Sequence, residues 1–490
     1  MPDRSTYKQV LKATSIFGGV QVFGILISIL RSKAIALLVG PAGVGIAGLF
    51  NGVLSLMGVL SGIGLETSAV KRISAAGDDD LVREVSVLQR MVWITGCAGA
   101  LACAVCSPIL SRVTFGNQDY TIGFIWLGLA VLLKQLTVGQ LALLQGLRKI
   151  SGLARANMWG SFLGLLFTVP MYYWFGIRAI VPAILVSLLI AYGCNAFYAS
   201  RVRVRRLDLT WSQTFVHAKP MVKLGLSLSF ISVLTTLTAY VLQVYISHTG
   251  GLAQVGLFAA GFAILNSYVG MVFNAMATDY FPRLSAICHD PVQLRSAVGQ
   301  QAFVAVLIMT PVIVIFLACA PLVVSVLYSD SFLPVVGLLR WGVLGMLFKA
   351  VSWAIGYVLI ARNDSRLFMT TSIVFNSAFL ALNIAGYHYY GLEGLGMTML
   401  FNYFVHLAVL SVIARARYSV FFDREFLKIY LVCVLLCAGG FLFTYIANPY
   451  LKAGLMALTA LLSLMFSLYQ INKKIRLTDT IKNLKTKWKR

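Results

Sequence analysis

The segment ATSIFGGVQVFGILISILRSKAIALL, residues 13–38, contains no proline and no acidic residue. At about 1.5 Å per residue, a helix of roughly 26 residues outreaches the ~30 Å hydrocarbon core of a bilayer. Runs of this kind recur along the whole chain. Hydrophobic residues make up 59% of it and charged residues 11%, with a mean hydropathy of +0.85. Soluble chains are about 45–50% apolar and about 25% charged. The expected fold is therefore an all-α polytopic membrane protein. We place about fourteen helices near residues 13–39, 42–67, 86–111, 121–146, 152–175, 179–200, 224–248, 253–278, 298–327, 333–361, 367–387, 392–414, 427–447 and 452–471. The first run is too long for the ~7–15-residue core of a signal peptide and no small-residue cleavage site follows it.

Arginine and lysine in short loops set orientation. With the N-terminus inside, the cytoplasmic face receives Lys71, Arg72, Arg148, Lys149, Arg201, Arg203, Arg283, Arg362 and Arg415, among others, and the far face only Arg112, Arg178 and Lys452. Both termini are then cytoplasmic. The net charge of +24 sits in these loops, so it implies no nucleic acid. Of the eight cysteines, seven lie in apolar runs and Cys288 lies in a cytoplasmic loop. Cys103 and Cys106 have CxxC spacing but no further ligand nearby, so neither a disulfide nor a metal site is expected.

The chain repeats itself. Gly40-Pro41-Ala42-Gly43-Val44-Gly45 matches Gly251-Leu252-Ala253-Gln254-Val255-Gly256 at an offset of 211, which Lys12 and Lys223 share. Tyr172, Phe175, Gly176 and Ile177 match Tyr387, Tyr390, Gly391 and Leu392 at an offset of 215. These pairings divide the chain into an N-terminal six-helix lobe (1–200), a basic cytoplasmic linker (201–223), a second pseudo-symmetric six-helix lobe (224–415), an additional helix pair (416–472) and a basic cytoplasmic tail (473–490). Parallel repeats with a substrate site between them near the midplane belong to alternating-access transporters.

Five cations interrupt the apolar runs: Arg31, Lys33, Lys134, Arg340 and Lys349. A charge at the centre of a spanning helix costs about 2.5–3.5 kcal/mol on insertion scales and normally faces protein or water. For Arg31 and Lys33 two readings stand open: they lie at the headgroups, or they line a cavity that attracts an anion. Arg340 and Lys349, nine residues apart, fall half a turn out of phase. Lys349 is the deeper, and Arg340 is either a cavity or an interfacial residue. The nearby acids, Glu66, Asp279 and Glu393, sit at helix ends. Asp279 and Arg283 have the i,i+4 spacing of a local ion pair, and Glu66, Asp279 and Arg283 are candidates for gating or ion coupling. A cavity richer in cations than anions suits phosphate or carboxylate. His406 is either a packing residue or a proton carrier.

The chain resembles the Wzx flippases of the polysaccharide transporter family, within the multidrug/oligosaccharidyl-lipid/polysaccharide exporter superfamily, including O-antigen translocases and lipid III flippases. The resemblance rests on Lys33 followed by Gly40-Pro41-Ala42-Gly43, GVLSGIG at 58–64, FGNQDY at 115–120, QGLRKISG at 145–152, Pro282 with Leu284-Ser285, and GYVLIARNDSR at 356–366 preceded by Lys349. It implies movement of undecaprenyl-diphosphate-linked oligosaccharide, an O-antigen or related unit, from the inner to the outer leaflet of the bacterial inner membrane. It places Lys33 and Lys349 where the family carries cavity cations. It implies membrane lipids as partners, with a polysaccharide polymerase and a chain-length regulator as companions, and no cofactor. The last two helices depart from the twelve-helix pattern and resemble the extra pair of lipid II flippases.

The alternatives are a lipid II flippase, a drug or cation antiporter, an enzyme and a scaffold. An antiporter for cations needs a deep acid, and none lies deep in an apolar run. A polymerase or ligase needs a long catalytic loop outside the membrane, and no outer loop is much longer than about ten residues. A transporter rather than an enzyme is expected. It carries no nucleotide-binding motif, so its energy comes from an ion gradient or from consumption of the product.

Overall fold

The computed structural model describes residues 4–202, Leu207 and 210–475. Among them every regular element is helical. Eleven runs are long and apolar enough to cross a membrane. Three of these, Phe23–Gly62, Ile150–Ser200 and Ser365–Tyr418, are 40, 51 and 54 residues long. Each is long enough for two crossings, and each turns at a glycine of positive φ: Gly40, Gly176 and Gly391.

The chain divides into two compact units, one running to Ala259 and including Leu327–Ser331, the other formed by Ala260–Val326 and the residues from Phe332 onward. The first holds α1 (Arg4–Gly62), α2 (Leu65–Ala75), α3 (Asp78–Val105), α4 (Ser107–Phe115), α5 (Thr121–Gly146), α6 (Ile150–Phe175), α7 (Ile180–Ser200), α8 (Trp211–Gly250) and most of α9 (Leu252–Ala263). One of its cores is aromatic: Phe50 packs on Phe115 and Phe124, with ring centroids 5.4 and 4.9 Å away. Another gathers Leu65, Leu88, Leu144 and Met221 from α2, α3, α5 and α8. Where α2 meets α3, Arg72 and Glu84 form an ion pair.

The second unit holds α10 (Met271–Ile287), α11 (Pro291–Leu327), α12 (Val336–Ala361), α13 (Ser365–Tyr418), α14 (Arg424–Phe443) and α15 (Pro449–Ile475). Between α9 and α10 the chain forms a π turn over Ile264–Val269. α11 buries Val298, Ala302, Ile313 and Leu317, as a helix apolar on every side must. Gly440 lets α14 rest on Val314 of α11, and Trp341 of α12 packs at a tilt against Phe441 of α14, ring centroids 4.4 Å apart.

α8 starts at Trp211, well before the apolar run expected near 224. Thr210 and Gln213 form a reciprocal capping box there, which satisfies backbone donors that an isolated polar stretch would leave to water. The first turns interrupt their apolar residues with Gln213, His217, Lys219 and Pro220 and are largely exposed, so hydropathy did not reveal them. Part of the expected linker (203–206, 208 and 209) and most of the expected basic tail (476–490) lie outside the described residues. At the start of the tail, Lys473 and Lys474 pair with Glu425 at 3.8 and 3.3 Å.

The internal repeat is written in backbone angles. Gly40 has φ 63, ψ −173 and Gly251 has φ 82, ψ 174. Gly176 has φ 54, ψ −131 and Gly391 has φ 59, ψ −142. A third pair carries no matching residue type. Arg148 and Asn363 both sit at positive φ, 54 and 56, in the same left-handed cap. Lys149 N donates to Leu144 O at 2.9 Å, and Asp364 N donates to Leu359 O at 3.0 Å. Beside the glycine corners, Tyr173, Trp174, Tyr389 and Tyr390 are all exposed, the pattern of an aromatic belt at a membrane interface.

Candidate functional site

Lys349 is carried by α12, between buried neighbours on either face of the helix. Its Nζ donates to Asn266 Oδ1 at 3.3 Å. Asn266 belongs to the π turn, where Gly270 N reaches back to Leu265 O at 2.9 Å. Such a turn inserts an extra residue into the helical ladder and is frequent at functional sites. The Asn266 amide is oriented by its other end: Nδ2 donates to Phe262 O at 3.1 Å, so Oδ1 faces the lysine. The rings of Phe273 and Tyr403 lie 5.7 and 5.2 Å from Nζ, within cation–π range. Among the described residues no carboxylate lies within 4 Å of Lys349. A neutral amide and two ring faces orient the ammonium without cancelling its charge, so the site remains suited to an anion. One turn beyond Tyr403, His406 presents a buried Nδ1 with no hydrogen-bond partner and meets Phe375 edge-on at 4.4 Å.

Arg340 does not join this group. Half a turn away on α12, it points to the Tyr445 ring at 5.9 Å, and its Nε is buried without a partner. Next to it, Trp341 Nε1 donates to Glu393 Oε1 at 2.9 Å.

In the first unit, Lys134 lines a cavity of about 160 Å³ together with Glu66, Gln135, Ser229 and Ser232. The structure thus brings Lys134 and Glu66 together. Gly58 makes room for the lysine: a β-carbon there would stand 3.2 Å from Nζ and 3.3 Å from Cε. Gln135 holds the end of α1, donating to Gly58 O and to Ser61 Oγ at 3.1 Å. Just beyond, Ile63 and Gly64 adopt φ 47 and 64 and separate α1 from α2. Arg31 and Lys33 are half-buried on the first half of α1 and do not line this cavity. Two residues apart, they leave the helix about 200° from each other, and Arg31 lies within Coulombic reach of buried Tyr172 in α6.

Asp279 and Arg283 share a larger cavity of about 910 Å³ in the second unit. The i,i+4 ion pair does not form, and Arg283 donates to Gln301 Oε1 at 3.4 Å instead. Asn266 and Gln135 escaped the sequence reading. The available signal was a lone amide inside an apolar run, beside a π turn in one case and beside Lys134 in the other.

Charged side chains are thus held inside apolar helices of a multi-pass, twice-repeated membrane bundle. The chain matches the model of the polysaccharide biosynthesis protein family over residues 34–337. It belongs to that family, and the resemblance drawn from its sequence holds. A lipid III flippase of Escherichia coli (strain K12) is 25% identical over 368 residues, 70% of this chain and 83% of the relative. In structure the chain is similar to the lipid II flippase MurJ in an inward closed conformation, with a TM-score of 0.71, 12% identity, and coverage of 95% of this chain and 100% of that one. An inward-facing multidrug resistance MATE transporter of the MOP superfamily gives a TM-score of 0.67 at 16% identity, over 83% of this chain and 96% of that one.

Proposed function

We propose that this protein is a transporter, not an enzyme, that flips an undecaprenyl-diphosphate-linked oligosaccharide from the inner to the outer leaflet of the bacterial inner membrane by alternating access. The observation that carries this is Lys349, an ammonium inside an apolar helix, oriented by Asn266 and two rings, with no carboxylate within 4 Å among the described residues. A diphosphate cannot cross hydrocarbon bare, because desolvating its charge costs far more than one contact returns. Fixed cations along a protein-walled path lower that cost, and Lys33, Arg31, Lys134 and Arg340 are the further candidates. Glu66, Asp279 and Arg283 are assigned to gating. The lipid III flippase relatives favour a lipid-linked glycan over a drug, and an O-antigen or related surface glycan unit is the specific cargo we assign. A polysaccharide polymerase and a chain-length regulator would then act on the product.

Counting each broken run as two crossings gives fourteen, with both termini cytoplasmic. Coverage of 95% of this chain by the lipid II flippase fold leaves no room to omit both α14 and α15, so a lipid II-type substrate is the second reading. Complementation of strains that lack either flippase separates the two. With membrane protein level checked alongside, Lys349→Ala should abolish glycan display and Lys349→Arg should retain part of it. Normal display by the alanine variant would remove Lys349 from the mechanism.

A further inference from the structure

The cavity of about 910 Å³ in the second unit extends well beyond Asp279 and Arg283. It is bounded by the ends of α10, α11, α14 and α15. Its wall divides by chemistry: Phe303, Phe422 and Phe426 are apolar, and Arg283, Arg295 and Lys474 are cationic. The guanidinium of Arg295 lies over the Phe421 ring, 3.4 Å from its centroid, and its Nε donates to Phe421 O at 3.1 Å. That stacking fixes the plane of the fork and leaves its terminal N–H groups to donate. Neither Arg283 nor Arg295 has a carboxylate within 4 Å among the described residues. Of the two acids in the wall, Asp423 is engaged as the cap of α14, accepting from Phe426 N at 2.9 Å. Lys474 is matched by Glu425 at 3.3 Å.

We propose that this cavity binds a phosphorylated lipid of the adjoining leaflet. The phosphate sits between Arg283 and Arg295, and the first methylenes rest on the phenylalanine wall. A phosphate group could also come from free phosphate or from the diphosphate of the cargo. Charge and surface select among them. Lys474 is balanced by Glu425 and Asp423 by the N-terminus of α14 that it caps, so Arg283 and Arg295 stand against Asp279 alone, a surplus of one, which suits a singly charged phosphodiester rather than a multiply charged diphosphate. The apolar wall serves no purpose for an inorganic ion. The location is right as well, because the ends of membrane helices lie level with lipid headgroups. A lipid held there would tie the α14–α15 pair to α10 and α11.

The test uses the full chain in phosphatidylcholine nanodiscs, titrated with dioctanoylphosphatidylglycerol, inorganic phosphate and pyrophosphate in separate arms. Thermal midpoint and native mass spectrometry read binding, so the result does not depend on what the protein transports. Phosphatidylglycerol should raise the midpoint and remain bound as adducts. The double substitution Arg283→Gln/Arg295→Gln, with its midpoint unchanged in phosphatidylcholine alone, should weaken that response by about tenfold or more, since each lost charge-assisted bond is worth about 1.5–3 kcal/mol and about 1.4 kcal/mol is tenfold. Should the double variant fail to fold, Arg283→Gln alone decides in the same titration. An undiminished response in a folded variant overturns the site. An equal response to phosphate or pyrophosphate overturns the assignment to a lipid.

Discussion

Gly45 and Gly256 meet backbone to backbone, and neither has room for a β-carbon. One added to Gly45 would overlap the carbonyl oxygen of Leu252, and one added to Gly256 would overlap that of Pro41. The two segments are the halves of the internal repeat, so the contact has its own local two-fold symmetry. Small residues allow membrane helices to approach this closely, and the contact fastens α1 to the start of α9 within the first unit.

Substituting Gly45→Ala or Gly256→Ala should therefore cost about 1–3 kcal/mol, the usual range for overpacking. Because both changes break one contact, the double variant should lose clearly less than the sum of the two. Thermal unfolding of the purified proteins checks this, and strict additivity would mean that the glycines act separately.

Asn266 offers a sharper test of the charge at Lys349. Asn266→Asp places a carboxylate where the amide oxygen now stands, 3.3 Å from Nζ, and would neutralise the ammonium without removing it. Glycan display should fall as far as in Lys349→Ala, at normal protein level. Asn266→Ala, which leaves the charge free, should retain most of the activity. Equal activity in the aspartate and alanine variants would show that the net charge at this point is irrelevant.

Asp290 caps α11, accepting from Gln293 N at 3.1 Å and Val292 N at 2.8 Å. These bonds hold its carboxyl below the usual carboxylate range. A group whose folded pKa is depressed stabilises the fold above its unfolded pKa, here about 3.9, and loses that contribution as pH falls through the folded value. Asp290→Ala should lower the thermal midpoint at neutral pH, and Asp290→Asn should restore most of it, since asparagine caps as well. The gap between wild type and Asp290→Ala should narrow below about pH 4. A gap that stayed constant into acid would mean that the charge contributes nothing.

Orientation is checked with reporters fused after Lys149 and after Arg178. The first should be active only as a cytoplasmic reporter and the second only as a periplasmic one. The opposite pattern would invert the chain and place Arg283 and Arg295 in the outer leaflet.

The corners of this fold were legible because glycine marks them. Gly40, Gly176, Gly251 and Gly391 punctuate apolar runs, and only glycine takes positive φ without strain. The matching corner at Arg148 and Asn363 was not legible, since hydrogen bonds shape it and the two residues share no chemistry. Lys349 and Lys134 stood out because a charge in an apolar run is costly wherever it points. Their surroundings did not stand out. Asn266 reaches Lys349 across 83 positions, and nothing in either local sequence announces the other. Asp279 and Arg283 misled for the converse reason: the spacing permits an ion pair, but Gln301 on α11 takes the arginine, and no pattern along α10 could record that.

The two kinds of corner restrict the residue they hold in different ways. At Gly40, Gly176, Gly251 and Gly391 nothing lies within 4 Å of the place a β-carbon would occupy. At Arg148 and Asn363 the cap is closed by paired backbone bonds. Space is therefore open at the four glycines, while their positive φ with extended ψ lies in a region that is almost glycine's alone. A side chain is barred from these corners by backbone conformation and not by its neighbours, so no repacking around them could rescue a substitution there.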